Sequence, residues 1–312
     1  MSFTVFVTAL ALLALPAVTY RAGRRVEPVR WARLVTLSLL SGYALLIVGL
    51  VLAALPTVFS AFGFTEFARL CARLAGHGLP GGAAGGWVAA AGAVFLIGVG
   101  AMQAATTIRG QRRMSLLAVG GIDVTEVEQC RVVEIECPRP FAVALRDARG
   151  RIVVTSRLAE VLSRAEFDAV VRHEAEHVRR HHWQHLVLAA MLLRSLGWLP
   201  LVKRSVGVLR LALERIADEA AAGSGRERKA VVRSALAKLA TANVTGTVLP
   251  AFAADAPVME RIRALDGGQQ STKKVAIGSH IAVGVVMGPG FFSVGLWVSH
   301  AHYLATNVLC PI

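Results

Sequence analysis

The chain has 312 residues, a hydrophobic fraction of 55%, a mean hydropathy of +0.56 and a formal net charge of +14. That much apolar content excludes a disordered chain and exceeds what an ordinary soluble domain needs. A sequence pI near 10.9 would suit nucleic acid, but the basic residues flank apolar runs, so a membrane surface is the better-matched partner and no direct nucleic acid is expected.

Residues 34–65, 74–108 and 275–312 contain no Asp, Glu, Lys or Arg. Apolar runs of this length read as membrane spans, and four are expected, at about 3–20, 34–55, 86–107 and 275–299. Only Met-Ser-Phe-Thr precedes the first, so an uncleaved anchor fits it better than a signal peptide. The loop 21–33 carries Arg21, Arg24, Arg25, Arg30 and Arg33 against Glu27, a net +4, and short basic loops stay on the cytoplasmic side. The loop 56–85, with net +1, then lies outside, as do the N terminus and the tail after residue 299. Gly78–Gly86 reads as a flexible part of that outer loop. Residues 109–274, with the remaining +9, lie inside. Cys130 and Cys137 should be reduced thiols there, whereas Cys71 and Cys310 both fall outside, where a disulfide between them is permitted.

The inner segment opens with a β-rich stretch. Cys130–Glu136 alternates apolar and polar residues as a half-buried strand does, and Pro138 and Pro140 end it. Phe141–Leu145 and Arg151–Thr155, separated by Arg-Asp-Ala-Arg-Gly, read as a β-hairpin. The same Phe141–Leu145 strand is placed to take a substrate as an added strand. Ser156–Leu162 begins a helical pattern. Ser163-Arg164-Ala165-Glu166 has the form of a capping box, and Phe167, Val170, Val171 and Val178 follow at helical spacing, which predicts a helix to about His185. Residues 186–202 are apolar apart from Arg194 and Ser195, and Gly197-Trp198-Leu199-Pro200 interrupts them. An Arg at midspan is costly, so a hairpin dipping into the interface is expected rather than a fifth span. Helices are predicted over Gly207–Ala222, Arg226–Ala242 and Met259–Leu265.

His173-Glu174-Ala175-Glu176-His177 is an H-E-x-x-H motif inside the predicted helix. Residues four apart share one helix face, so both imidazoles can reach one metal ion, with Glu174 beside it. A hydrolytic zinc site needs a third protein ligand and an open position for water. Glu214 is the candidate, Asp218 and Glu219 compete with it, and an Asp218 four residues on could instead accept the N–H of a ligand histidine. Such a site hydrolyses peptide bonds: the metal acidifies water, and Glu174 takes the proton and returns it to the leaving amine. His181 and His185 extend the histidine stripe. With His182 they read as a solvated or membrane-facing polar cluster, against a role in orienting substrate or holding a second metal. The position of the third histidine in the longer H-E-x-x-H-x-x-G-x-x-H pattern is Trp183, which excludes that class.

Pro140-Phe141-Ala142, Arg151–Val154 and Val171–His181 resemble the BlaR/MecR family of signal-transducing membrane zinc peptidases. Trp198-Leu199-Pro200-Leu201-Val202 looks like that family's Trp-x-x-Pro segment, one residue shorter. Glu214-Arg215-Ile216-Ala217-Asp218-Glu219-Ala220 looks like its Glu-x-x-Cys-Asp-Glu-Ala block, with Ala217 in place of Cys. The resemblance implies a gluzincin-like fold, a cytoplasmic active site, zinc held by His173, His177 and Glu214, Glu174 as catalytic base, and Asp218 supporting a ligand histidine. It also implies cleavage of a transcriptional repressor, or of the protein itself, on a signal. Those receptors carry a large extracellular ligand-binding domain after the last span; with about a dozen residues after residue 299, sensing by that route is not expected here, and a trigger would come through the spans, the outer loop or another protein.

The expected architecture is a mostly α membrane protein with four transmembrane helices. Residues 1–108 form a three-helix transmembrane region, 109–274 a cytoplasmic α+β gluzincin-like zinc peptidase domain inserted between helices three and four, and 275–312 the fourth helix with a short outer tail. The expected function is that of a cell-membrane zinc endopeptidase acting on a protein or peptide substrate in regulated proteolysis, such as repressor cleavage. The alternatives are membrane-protein quality control, as by HtpX-type heat-shock peptidases, or a non-catalytic metal-binding scaffold.

Overall fold

A computed structural model describes residues 2–75, 82–117, 121–127, 129–145, 150–243 and 258–266. The expected fourth span at 275–299, its tail and Cys310 lie outside the described residues.

Helix α1 (Ser2–Gly23) and helix α2 (Pro28–Ala61) are joined by a short turn, and Pro28 starts α2 with its backbone angle already set. The two run antiparallel and close together. A Cβ on Gly42 would lie 2.9 Å from the Ala9 carbonyl oxygen, and one on Gly49 would meet Val5 and Phe6. Small residues at such crossings let backbones approach. Pro16 has no N–H to offer the Leu12 carbonyl, and the Ser38 hydroxyl donates to that oxygen instead, at 2.7 Å. After a turn at Gly63, helix α3 (Thr65–Ala75) packs back on α2, and helix α4 (Gly82–Leu117) follows. The Tyr43 hydroxyl donates to the Leu96 carbonyl and fastens α4 to α2. Among the described residues three segments, Thr4–Gly23, Pro28–Ala61 and Gly82–Gly110, are long and apolar enough to cross a membrane. Helix α4 begins at Gly82, so Gly82–Gly86 is helical rather than part of a loop, and it runs on past residue 108 to Leu117.

A four-stranded sheet follows, in the order β1-β2-β4-β3. Strand β1 (Ile122–Val127) pairs antiparallel with β2 (Cys130–Ile135), β2 pairs parallel with β4 (Arg151–Thr155), and β3 (Ala142–Ala144) pairs antiparallel with β4, Val143 opposite Val153. The expected hairpin is thus the β3–β4 pair, and β3 is an edge. Helix α5 (Ser156–Val161) leads to α6 (Arg164–Arg179), whose capping box is formed as expected, Glu166 N–H donating to Ser163 Oγ and Ser163 N–H to Glu166 Oε2.

The end of α6 and the start of the helix that runs to Ala222 also differ from expectation. Helix α6 stops at Arg179, not near His185, because the chain turns at His181, which adopts a left-handed conformation (φ 52°) that histidine tolerates better than most residues. Helix α7 (His182–Leu196) then starts in a new direction. Helix α8 runs from Pro200 to Ala222 without a break, rather than beginning at Gly207, with Pro200 at its first turn. The two form a helical hairpin whose tip carries Trp198, 76% exposed. At 15 residues α7 is about 22 Å long, shorter than a bilayer core of about 30 Å.

One apolar core joins Leu13, Trp31, Val35, Leu39 and Tyr43 of α1 and α2 to Leu96 of α4, Leu192 of α7 and Leu209 of α8. The first two-thirds of α8 therefore belong with the apolar helices. Its last third, from Glu214, packs on α6. Helix α9 (Arg226–Asn243) covers α6, and helix α10 (Val258–Asp266) rests on α8 and α9.

Candidate active site

Helix α6 supplies His173, Glu174 and His177, and α8 supplies Glu214 and Asp218. The Nε2 atoms of His173 and His177 face each other at 3.1 Å. Glu214 Oε2 lies 3.4 Å from His173 Nε2, and Glu214 Oε1 lies 3.6 Å from His177 Nε2. A tetrahedral ion bonded to N and O at about 2.0–2.2 Å sets its ligand atoms about 3.3–3.6 Å apart. The two N–O distances fall in that range and the N–N distance lies just below it; each carboxylate oxygen faces one imidazole, and with one atom taken from each residue the three lie within 4.8 Å of one another, so these residues could hold a metal ion.

The surroundings favour a cation. Burial opposes charge on His173, but Asp218 and Glu214 outweigh it and push its pKa up to about 10. Burial likewise disfavours the Glu214 carboxylate, yet Arg261 and the two histidines hold its pKa well below the usual range. A divalent ion at Nε2 would face the same carboxylates and take the place of that proton. His177 is pushed down to about 4 by burial, which leaves it neutral and able to bind a metal. Burial raises Glu174 to about 7, in the range useful to a residue that takes and returns a proton.

Asp218 stands behind His173, its Oδ1 3.0 Å from Nδ1, so that Nε2 points inward. It is 2% exposed and is not one of the three converging residues. Glu219 points elsewhere, half exposed and 3.7 Å from Arg215. Glu174 reaches the sheet: its Oε2 accepts the Ala144 N–H at 3.0 Å. Leu145 N–H donates to Arg151 O and Thr155 N–H to Phe141 O, so the intervening Ala144 N–H points off the outer side of β3, where Glu174 meets it. The catalytic candidate thus sits at the edge where an added strand would lie.

Residues 122–205 match the model for peptidase family M48. The match runs from β1 through both histidines of the motif into the start of α8, and it supports a metallopeptidase. No curated protein matches the chain.

Two residues at the site were not foreseen. Arg261, on α10, donates through Nε and Nη2 to both oxygens of Asp218, at 2.8 and 2.6 Å, and its Nη1 lies 2.9 Å from Glu214 Oε2. It closes one side of the site with a fixed positive charge. His182 is the other. Grouped with His181 and His185 as a polar cluster in solvent or membrane, it is instead 1% exposed, with its Nδ1 2.7 Å from His177 Nδ1. Burial lowers its pKa to about 2 and keeps it neutral. The four-histidine stripe does not form, since the turn at His181 interrupts it; of those four, only His173 and His177 face the candidate ion.

Proposed function

We propose that this protein is an integral membrane zinc endopeptidase in which His173, His177 and Glu214 hold the zinc. The single observation that carries the reading is the convergence of two imidazole nitrogens, 3.1 Å apart, on one carboxylate whose two oxygens lie 3.4 and 3.6 Å from them. Zinc bound there would acidify water and polarise a peptide carbonyl. Glu174 is the catalytic base: it takes a proton from the attacking water and hands it to the leaving amine. The substrate lies along β3 as an extra strand, which sets its scissile bond beside Glu174. Asp218 holds the orientation of His173.

The site lies on the cytoplasmic side of the cell membrane, with both termini outside. Support comes from contacts at the basic end of the spans: Tyr20 meets Glu260 and Thr36 meets His185, flanking the arginine-rich turn 21–33. The peptidase domain covers residues 109–274, between the third span and a fourth at 275–299. Repressor cleavage in regulated proteolysis is the role the BlaR/MecR resemblance favours.

Metal analysis of the purified protein, with comparative proteomics of wild type and Glu174→Gln, tests this reading. One zinc per chain is expected in both, with substrate fragments in wild type alone. A metal-free wild type, or the same fragments in both strains, would refute it.

A further inference from the structure

Both site imidazoles present Nε2 inward, so each is steadied by whatever meets its Nδ1. Behind His173 that group is Asp218. Behind His177 it is His182, Nδ1 to Nδ1 at 2.7 Å, with the rings edge to face and their centroids 4.7 Å apart. Two imidazole nitrogens this close share one hydrogen, which one ring donates and the other accepts. A neutral His177 with a bare Nε2 carries its hydrogen on Nδ1, so His177 donates and His182 accepts. His182 then stands to His177 as Asp218 stands to His173.

The backbone is shaped for this contact. Successive residues of an α-helix are about 100° apart, so an unbroken α6 would carry residue 182 about 140° round from residue 177. The left-handed turn at His181 (φ 52°, ψ 40°) breaks the helix and brings His182 back onto His177. A non-glycine residue in that region carries strain, and such strain gathers at functional sites. The first turn of α7 is also pinned to span α2. Thr36 Oγ1 donates its hydrogen to the Ala32 carbonyl, so at the 3.3 Å contact His185 Nδ1 donates to Thr36.

We propose that His182 is a positioning residue: it accepts the Nδ1 hydrogen of His177 and so fixes the tautomer and orientation in which that imidazole binds metal. The proposal rests on the metallopeptidase reading given above.

The test uses full-length protein in detergent, stripped of metal. Zinc affinity is measured by chelator competition, and the cobalt(II) form is read by its visible absorption. His182→Leu keeps volume and loses the acceptor; His182→Asn puts an amide oxygen about where Nδ1 sits. The leucine variant should bind zinc about 10–100-fold more weakly and shift the cobalt band, while the asparagine variant recovers most of both. His182→Gln, whose oxygen reaches past that position, covers an unstable leucine variant and should behave like it. Metal-free melting midpoints register damage to the fold separately. Wild-type affinity in the leucine or glutamine variant would overturn the proposal, as would an asparagine variant that melts normally yet binds no better than they do. A wild type that binds no zinc would instead overturn the metallopeptidase reading, and this role with it.

Discussion

The phenol of Tyr20, in the last turn of α1, donates to Glu260 Oε1 at 2.6 Å. Glu260 precedes Arg261, so the short helix α10 grips a membrane-length helix with one residue and the candidate site with the next. A hydrogen bond to a charged acceptor contributes about 1.5–3 kcal/mol. Tyr20→Phe should therefore speed amide exchange across Val258–Asp266 about tenfold or more, with little change in α6. Unchanged exchange in α10 would show that α1 does not hold it.

Removing the Arg261 charge should be tolerated far better when zinc is present. Arg261→Met takes the guanidinium from the buried Glu214 and Asp218 carboxylates and leaves them only the His173 imidazolium, a lesion of the kind that typically costs about 3–5 kcal/mol. A divalent ion beside Glu214 would restore part of the missing charge. The melting midpoint of the metal-free variant should fall well below that of metal-free wild type, and zinc should raise it more than it raises wild type. Equal zinc shifts in the two proteins would separate Arg261 from the metal site.

Glu166 makes the fold acid-sensitive away from the site. Burial alone would raise its pKa, but Lys238, Ser234 and the Ser163 N–H outweigh burial and hold it at about 2, below its ordinary value of 4.5. A depressed carboxyl adds stability that is present in full above pH 4.5 and is lost as pH falls from there towards 2. The amount is on the order of 2 kcal/mol, allowing for screening at the exposed Lys238 end. In Glu166→Gln the melting midpoint should be lower at neutral pH and flatter between pH 5 and about 3. An unaltered acid limb would show that other carboxylates set it.

What could be read from the chain alone follows the range of the interaction. His173 and His177 are a local pair, four residues apart on one helix, and so were legible, as was the Ser163–Glu166 capping box. Glu214 and Asp218 were legible as a spaced pair, though only packing brings Glu214 to the two Nε2 atoms and puts Asp218 behind His173. His182 was misread because histidines at 177, 181 and 185 keep a helical period straight through the break, and a left-handed residue leaves no mark in a hydrophobic pattern. Arg261 carried no signal, since its partners lie more than 40 positions away and nothing in Met259-Glu260-Arg261-Ile262 singles it out. The start of α8 at Pro200 was obscured by its two environments, apolar helices first and then the site.

Close approach of α1 and α2 should depend on Gly42 and not on glycine as such. A side chain at Gly42 meets the Ala9 carbonyl oxygen and Leu13 Cγ, each at 2.9 Å from its Cβ, and the oxygen belongs to a helix backbone that cannot step aside. Among the described residues, nothing lies within 4 Å of the same position on Gly98, in the apolar part of α4. Gly42→Val should therefore destabilise the detergent-solubilised protein by about 1–3 kcal/mol, the usual cost of overpacking, and push α1 away from α2. Gly98→Val adds the same atoms where no described residue meets its Cβ, and should melt like wild type. Through the shared core of Leu13, Leu39 and Leu209, the Gly42 lesion reaches α8 and hence Glu214, so zinc affinity should fall in that variant and hold in the other. Equal melting midpoints for the two variants would mean that the α1–α2 contact is looser than these distances require.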